Sequence, residues 1–451
     1  MGMDASENRQ TAPELNPGEH IRGARLARGM TLAQLGHRTG YSAAQVSRLE
    51  RGRTPLTDPT VLGRFASALG IPPQVLRSPA APFRAGADSY PSLPVPGAKG
   101  VGSGENTQMH RRTLLAALTA AAAEAASAPL VGGSDSGRDG RQLRDFLVAG
   151  VRDAMLGLAS AESALPPEYV PAELARANAD YANTRYRSLA DRLPRVLRAG
   201  HQAGVDQYEA LAHSYLLATR LLIKLHEPQL GWMAADRARQ LANTAGSSLV
   251  TAEAARQQAV LARQAGWYDQ ALSLALSAAD DPVLGELGNA GRAQKGLLIQ
   301  CAAFTVAHQG DRAGMRELTG EAASIADGLG RATHLRDTAG GFTPATVQLH
   351  LVSAEYKCGD PAAAIAVADR LLPQLLPTVE RRVRYHTDRA TAYAQWGRRD
   401  DCVHELLVAE RLAPEETHTR PAVRALLGGL LVTGQPPLEL RALAARCGVL
   451  A

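Results

Sequence analysis

The stretch from Thr31 to Gly52 decides the fold of the N-terminal part and reads TLAQLGHRTGYSAAQVSRLERG. It predicts two short helices joined by a tight turn. Thr31 is suited to cap the first helix, and Leu35 gives that helix an inward face. Gly40 is suited to end it because glycine readily adopts a positive φ, and Ser42 is suited to cap the second helix. We therefore predict a helix, a turn and a helix over these residues.

The second of these helices has two predicted faces. Val46 and Leu49 are three residues apart and should both point to a core. At 100° per residue the opposite face then holds Ala44, Ser47, Arg48 and Arg51, with Ala43 and Gln45 beside it. Small side chains and arginines fit a DNA major groove, because small residues permit a close approach and arginine reads guanine. A helical hairpin with a solvated charged face is the alternative that this stretch alone leaves open.

The wider pattern from Ile21 to Ile71 resembles the phage-repressor-like (Xre-type) helix-turn-helix family. The residues on family positions are Arg25, Thr31, Leu35, Gly40, Ser42, Val46, Leu49, Glu50, Gly52, Leu62, Ala66, Leu69 and Gly70. The resemblance implies an all-α, five-helix DNA-binding domain over residues 17–77. It also implies that Arg25 and Glu50 form an ion pair between the first helix and the end of the recognition helix.

The resemblance further implies which residues contact DNA. Ala43, Ala44, Ser47 and Arg48 match base-reading positions, and Arg51, Arg53 and Thr54 follow where phosphates are held. Because alanine offers only a methyl contact to thymine, base hydrogen bonding should fall mainly to Arg48 and Gln45. The predicted DNA-binding set is Thr31, Ser42, Ala43, Ala44, Gln45, Ser47, Arg48, Arg51, Arg53 and Thr54.

Positive charge is concentrated in this segment. The chain of 451 residues has a formal net charge of +5, whereas residues 17–77 contain nine arginines and three acidic residues. The remainder of the chain is therefore close to neutral. Positive charge on the segment that carries the recognition helix is what phosphate neutralisation requires.

Composition restricts the remaining function classes. Lysine is scarce beside arginine and alanine is abundant, which indicates a coding sequence from a GC-rich bacterium. Cys301, Cys358, Cys402 and Cys447 lie far apart in apolar helical contexts and are expected to be reduced core thiols of a cytoplasmic protein. No metal-binding motif, phosphate loop or nucleophile with a plausible base is found, so we expect no enzyme activity, no catalytic residues, no metal and no cofactor.

The chain divides into five predicted segments. Residues 1–16 are polar and are expected to form a disordered leader without a signal peptide. The helix-turn-helix domain at 17–77 precedes a flexible linker rich in proline and glycine at 78–109. An Ala-rich helix and a second linker follow at 110–140, and helices of 3.6-residue period occupy 141–451.

The last segment contains diverged internal repeats. Ala390, Tyr393, Gly397, Leu406, Ala409 and Pro414 match the tetratricopeptide pattern, and so do Ala262, Gly266, Tyr268, Ala271, Ala275 and Ala278. The resemblance implies a tetratricopeptide-like α-solenoid, which stacks helix pairs and presents a concave groove. A single helix over 175–197 would place Asn178, Tyr181, Arg185 and Tyr186 near one face, where they are candidates to bind a ligand. The alternative is that the tyrosines pack in the core and the arginine is solvated.

A repressor-like head followed by such repeats resembles helix-turn-helix regulators of actinomycetes and, more distantly, peptide-responsive regulators of Gram-positive bacteria. The resemblance implies a cytoplasmic, homodimeric transcriptional regulator that binds double-stranded DNA, does not enter a membrane and senses a peptide or small molecule through its repeats. The alternative is a DNA-anchored docking scaffold whose repeats bind a partner protein.

Overall fold

The computed structural model describes residues 17–41, 43–52, 56, 58–76, 135–158, 165–432 and 436–449. The chain forms two compact units, spanning 1–107 and 108–451. In the described ranges the regular elements are helices, and the β-type pairing is an isolated bridge between His334 and Phe342. The protein is therefore all-α, as the sequence predicts. None of the described helices is long and apolar enough to cross a lipid bilayer.

The N-terminal unit contains four α-helices and one 3₁₀ turn among its described residues. The helices are α1 (Pro17–Ala27), α2 (Leu32–Thr39), α3 (Ala43–Glu50) and α4 (Pro59–Leu69), and the 3₁₀ turn is Pro73–Leu76. The fifth predicted helix is thus a single tight turn. Ile21, Leu35, Val46, Phe65 and Leu69 are buried and form the core of the unit.

The C-terminal unit is a succession of helices from residue 135 onward. They are α5 (Asp135–Met155), α6 (Val170–Ala182), α7 (Tyr186–Gln202), α8 (Tyr208–Lys224), α9 (Pro228–Thr244), α10 (Ser248–Gln264), α11 (Tyr268–Ala279), α12 (Val283–Glu286), α13 (Gly288–His308), α14 (Arg312–Leu329), α15 (Arg336–Ala339), α16 (Pro344–Lys357), α17 (Pro361–Ala368), α18 (Val379–Trp396), α19 (Arg399–Leu412), α20 (Pro414–Thr419), α21 (Pro421–Val432) and α22 (Leu438–Arg446). Helix α5 begins at Asp135, inside the segment that was predicted as a second linker up to residue 140.

Glycines close the helix pairs where the repeat pattern has them. Gly266 and Gly397 have φ values of 80° and 82°, which place each in the left-handed region between two helices. The small pattern residues around these turns are buried at the helix interfaces: Ala262, Ala271, Ala275, Ala390 and Ala409. Small side chains at these positions let each helix pack closely on its partner.

Helices of the C-terminal unit form an inner and an outer layer. Helices α8, α10, α13, α16 and α18 contact one another in succession, whereas α9, α11, α14, α17 and α19 pack against them as an outer layer. Helix α6 contacts both α8 and α18 and so completes the inner layer. The inner layer is therefore closed, and the open concave groove expected of a solenoid is not what these helices form.

Contacts of α7 and α8 with α18 and α20 accompany this closure, and we call them the seam. Tyr186 of α7 donates a hydrogen bond of 3.1 Å to Glu416 of α20. Lys224 of α8 donates to Glu380 of α18 at 2.8 Å and to Glu416 at 2.9 Å. Glu416 is fully buried, so the seam is a polar joint enclosed by protein.

Candidate nucleic-acid interface

A capping box fixes the start of α2. The Thr31 hydroxyl accepts a hydrogen bond from the backbone N–H of Gln34 at 3.1 Å, and the Gln34 side chain accepts one from the Thr31 N–H at 2.9 Å. This arrangement satisfies two of the amide donors that a helix N-terminus leaves free. Gly40 ends α2 with φ 78°, and Tyr41 then packs on Phe65 with ring centroids 5.5 Å apart. The turn into α3 is thus fixed from both sides.

A buried ion pair attaches α3 to α1. The Arg25 guanidinium donates to the two carboxylate oxygens of Glu50 at 2.6 and 2.7 Å and to the Met30 carbonyl at 2.9 Å. The two charged side chains are 1% and 3% exposed. Two parallel charge-assisted bonds fix distance and orientation together, so the pair sets the angle at which α3 is presented.

The observed faces of α3 differ from the predicted ones at two positions. Ser47 and Ala43 are 2% and 4% exposed, so both side chains lie on the inward side with Val46 and Leu49. Glu50 also points inward. At 100° per residue, a buried face of α3 that includes Glu50 as well as Val46 and Leu49 also includes Ser47 and Ala43. These two residues therefore do not lie on the exposed surface, and their predicted base contacts are corrected on this ground.

The remaining outward face of α3 is polar and basic. Gln45 is exposed, and Arg48 and Arg51 are partly exposed. Arginine and glutamine are the side chains that pair in bidentate fashion with guanine and adenine in the major groove. The predicted residues Ser42, Arg53 and Thr54, and the side chain of Ala44, lie outside the described residues.

A basic cleft beside α2 was not singled out from the sequence. It is lined by Arg28, Gly29, Met30, Gln34, His37 and Arg38. His37 and Arg38 occupy the last turn of α2 and are exposed. In helix-turn-helix complexes the first helix of the motif crosses the DNA backbone, so cations here are suited to phosphate contacts. The excess of arginine over acidic residues was the only sequence signal for them.

The helix-turn-helix domain family matches residues 18–79 of the chain. No curated protein matches the sequence. The matched segment contains α1 to α4 and the 3₁₀ turn, so the domain that holds the outward face of α3 is of the helix-turn-helix class. Domains of this class are found in DNA-binding regulators.

The four residues predicted to bind a ligand do not share one helix. The chain breaks between α6 and α7, where Thr184 has φ 58°, so the single helix predicted over 175–197 is wrong. Tyr186 is fully buried in the seam, and Tyr181 is 8% exposed and packs in the core. Arg185 is exposed and forms an ion pair with Asp180 at 2.8 Å.

Asn178 is the member of the set that faces the inner layer. Its amide nitrogen donates to the Leu174 carbonyl at 3.1 Å, and its amide oxygen accepts from Arg220 at 2.6 Å. The predicted set therefore does not form one site. Tyr181 and Tyr186 are packing residues, Arg185 is a surface residue paired with Asp180, and Asn178 bonds to Arg220.

The cysteines occupy the positions predicted for core thiols, with one exception. Cys301, Cys402 and Cys447 are buried, Cys358 is partly exposed, and all four are free. Burial raises the pKa of the Cys402 and Cys447 thiols to about 12, so both remain protonated at neutral pH. Among the described residues, no group of three or more His, Cys, Asp or Glu side chains is arranged to hold a metal ion.

Proposed function

We propose that the chain is a sequence-specific, Xre-type transcriptional regulator that binds double-stranded DNA as a homodimer in the cytoplasm of a GC-rich bacterium. The single observation that carries the proposal is the exposed face of α3 in a matched helix-turn-helix domain, with Gln45 and Arg48 on that face and the Arg25–Glu50 pair behind it. No catalytic activity is part of this function.

The mechanism depends on two faces of α3. One face is packed against the rest of the domain, and the other is exposed to solvent. The ion pair and the capping box hold α3 and α2 in one orientation, so little conformational entropy is lost when α3 enters the major groove. Arg48 would then donate to guanine O6 and N7, and Gln45 would contact adenine. Arg38 and the arginines after α3 would hold phosphates, which positions the domain without reading sequence.

The experiment is a comparison of two arginine variants of the full chain. DNA bound by the protein is first selected from genomic fragments, and affinities are then measured for the selected site and for every single-base change within it. We expect Arg48→Ala to lose about 1–3 kcal/mol at one base position and to relax specificity there. The matched control is Arg64→Ala, which removes the same charge from the exposed surface of α4.

The outcome that contradicts base reading is an equal loss on all sequences for Arg48→Ala and Arg64→Ala. Arg53→Ala, at a position that the family resemblance assigns to phosphate, should weaken binding to all sequences about equally. Homodimer binding should give a pseudo-palindromic site with half-sites about one helical turn apart. A footprint over one half-site would count against the homodimer.

We further propose that the C-terminal unit is tetratricopeptide-like, mediates dimerisation and senses a peptide or small molecule. Antiparallel helix pairs closed by Gly266 and Gly397, with alanines between the helices, support the repeat assignment. A ligand that binds the folded unit should raise its melting temperature by mass action.

The alternative function, a DNA-anchored docking scaffold, is favoured by one surface feature. Trp232 and Trp267 pack with ring centroids 5.8 Å apart, and Trp267 is 55% exposed. Exposed tryptophans are frequent anchors of protein interfaces. If this reading holds, a partner protein should co-purify with the wild-type chain and be lost with Trp267→Ala, while DNA binding is retained.

A further inference from the structure

Arg220 of α8 is a cation on the inner layer without a carboxylate partner among the described residues. Its guanidinium donates to the Asn178 amide oxygen at 2.6 Å and to the Asp337 backbone carbonyl at 3.2 Å, and it stacks on the Tyr181 ring at 5.0 Å. The Nε atom is buried and has no hydrogen-bond acceptor among the residues that the structure describes. Burial lowers the pKa of Arg220 below its usual range. The hydrogen-bond and stacking partners of this side chain among the described residues are therefore neutral groups.

Arg263 of α10 is a second such cation. It is 9% exposed and donates to the Cys301 carbonyl at 3.4 Å and to the Thr305 hydroxyl at 3.2 Å, both on α13. Its guanidinium also lies 4.8 Å from the Phe304 ring centroid. In the described part of the chain its contacts, like those of Arg220, include no acidic side chain.

The carboxylates nearby are already committed to other cations. Glu253 accepts two hydrogen bonds from Arg256 at 2.6 and 2.7 Å. Asp388 accepts from Arg384 at 3.3 Å. Glu380 and Glu416 are held by Lys224 in the seam. The inner-layer helices thus have more basic than acidic residues, and Arg220 and Arg263 are two cations whose hydrogen-bond partners among the described residues are neutral.

Histidines on the inner layer respond to this excess. The pKa of His350 lies well below its ordinary value, first because of burial and then because of Arg384, Arg381, Arg256 and Arg263. These arginines come from α18 and α10, whereas His350 lies on α16. Burial, Lys357 and Arg263 likewise lower the pKa of His308 to about 3. Arginines of two helices therefore act on the same imidazole, that of His350.

Side chains of the inner layer retain some solvent access and include unpaired polar atoms. The side chains of Arg381, Arg256 and Arg384 are 11%, 14% and 17% exposed. In the described part of the chain the Nδ1 atom of His350 and the Oε1 atom of Gln257 are buried without a hydrogen-bond partner, and Gln257 is 1% exposed overall. Buried polar atoms without a partner, on helices that also carry cations, are what a binding site presents before its ligand enters.

We propose that the interior bounded by the inner-layer helices binds a small organic anion that carries phosphate or carboxylate groups, and that Arg220 and Arg263 neutralise its charge. The inference deepens the sensing role proposed above and rests on that role, but not on the proposed contacts to DNA. A guanidinium forms strong bidentate hydrogen bonds with either group, and the low-dielectric surroundings strengthen them. Closure of the inner layer restricts the ligand to a small molecule, since the layer offers no open groove.

The test measures thermal unfolding of the full chain with pyrophosphate and with citrate at constant ionic strength, with choline chloride as the cationic control. In the wild type we expect at least one anion to raise the melting temperature in a saturable way, and choline to have no effect. The double variant Arg220→Gln/Arg263→Gln should lose this shift, with affinity falling about tenfold for each charge-assisted hydrogen bond lost. Neither substitution leaves a carboxylate unpaired.

The matched control is Arg331→Gln/Arg370→Gln, which removes the same charge from two exposed positions of the same unit. It should keep the wild-type shift. If the glutamine pair does not fold, Arg220→Lys/Arg263→Lys carries the test, because lysine keeps the charge but loses the bidentate geometry and should weaken binding. No shift with either anion, or equal shifts in all variants, overturns the proposal.

DNA affinity of the same preparations without added anion separates the two proposals. If the wild type does not bind DNA, the proposed regulator function is contradicted, but the proposed anion site is not. Normal DNA binding without any anion effect would contradict only the anion site.

Discussion

The buried pair between Arg25 and Glu50 should control the stability of the helix-turn-helix domain. Glu50→Ala removes both oxygens that accept from the guanidinium at 2.6 and 2.7 Å and leaves a cation that is 1% exposed without its carboxylate. Removing one partner of a buried pair costs about 3–5 kcal/mol, whereas an exposed pair is worth about 1 kcal/mol at most. Because each 1.4 kcal/mol is about tenfold, local opening should become at least about a hundredfold more frequent.

The measurement is hydrogen–deuterium exchange of the full chain, followed by mass spectrometry of peptides that cover α1 and α3. Exchange in both helices should accelerate in Glu50→Ala, because the pair joins them. Arg64→Ala is the control, since its side chain is exposed on α4 and its loss should change the opening free energy by no more than about 0.5 kcal/mol.

A double-mutant cycle distinguishes a coupled pair from two independent side chains. Arg25→Met and Glu50→Leu should each destabilise the domain, but the combined variant should be less destabilised than the sum, because no uncompensated charge remains. Additive effects of the two substitutions, each within the range of Arg64→Ala, would refute the reasoning.

Three further predictions concern single side chains. Ser47→Ala should stabilise the helix-turn-helix domain by about 1 kcal/mol, because the buried hydroxyl has no hydrogen-bond partner among the described residues. The gain should be seen as slower exchange in α3, and faster exchange would contradict this. Glu416→Gln should lower the melting temperature of the C-terminal unit and raise hydrogen exchange in α20, because Lys224 loses a buried counterion. Unchanged exchange would mean that the Lys224–Glu416 ion pair does not stabilise the seam. Gly296→Ala should strongly lower the melting temperature of the C-terminal unit, since the added Cβ would lie 2.2 Å from the Phe342 ring. The control Gly320→Ala has open space around the added Cβ and should be neutral or stabilising. Equal melting temperatures of the two variants would contradict the packing described.

Local rules were sufficient for the helix-turn-helix motif and for many turns of the repeats. Gly40 and Gly397 end helices at φ 78° and 82°, a conformation that glycine adopts without a steric penalty. The cap at Thr31 and the start of α4 after Asp58 also depend on residues within three positions of each other. Such signals are readable from one sequence because cause and effect lie side by side.

The sequence-based predictions failed at two kinds of position. At one a polar side chain is buried, and at the other a residue that is not glycine has a positive φ. Two apolar positions, Val46 and Leu49, were used to orient α3, but Glu50 is also buried, and its inclusion turns Ser47 inward. Thr184 has φ 58° without being glycine, so nothing in its residue type marks the break between α6 and α7. Periodicity across that break therefore predicted a shared face that does not exist.

The seam could not be predicted because its partners are remote in sequence. Tyr186 and Glu416 are 230 residues apart, and Lys224 and Glu380 are 156 residues apart. Hydrophobic periodicity places residues on a face of their own helix and gives no information on which distant helix lies opposite. An open solenoid was the expectation that neighbour-to-neighbour stacking alone supports.

The ion pairs of the seam contribute both to the closure of the inner layer and to its excess positive charge. Glu380 and Glu416 are bonded to Lys224, one helical turn after Arg220 on α8, so their direct ion pairs are with Lys224 and not with the Arg220 guanidinium. Tyr181 of α6 lies against both cations, 5.0 Å from Arg220 and 4.8 Å from Lys224. An anion bound to Arg220 would reduce the repulsion between these neighbouring charges and so strengthen the contact of α6 with α8. Because a ligand shifts a conformational equilibrium by its differential affinity for the two states, an interior anion would favour the closed seam over an open one.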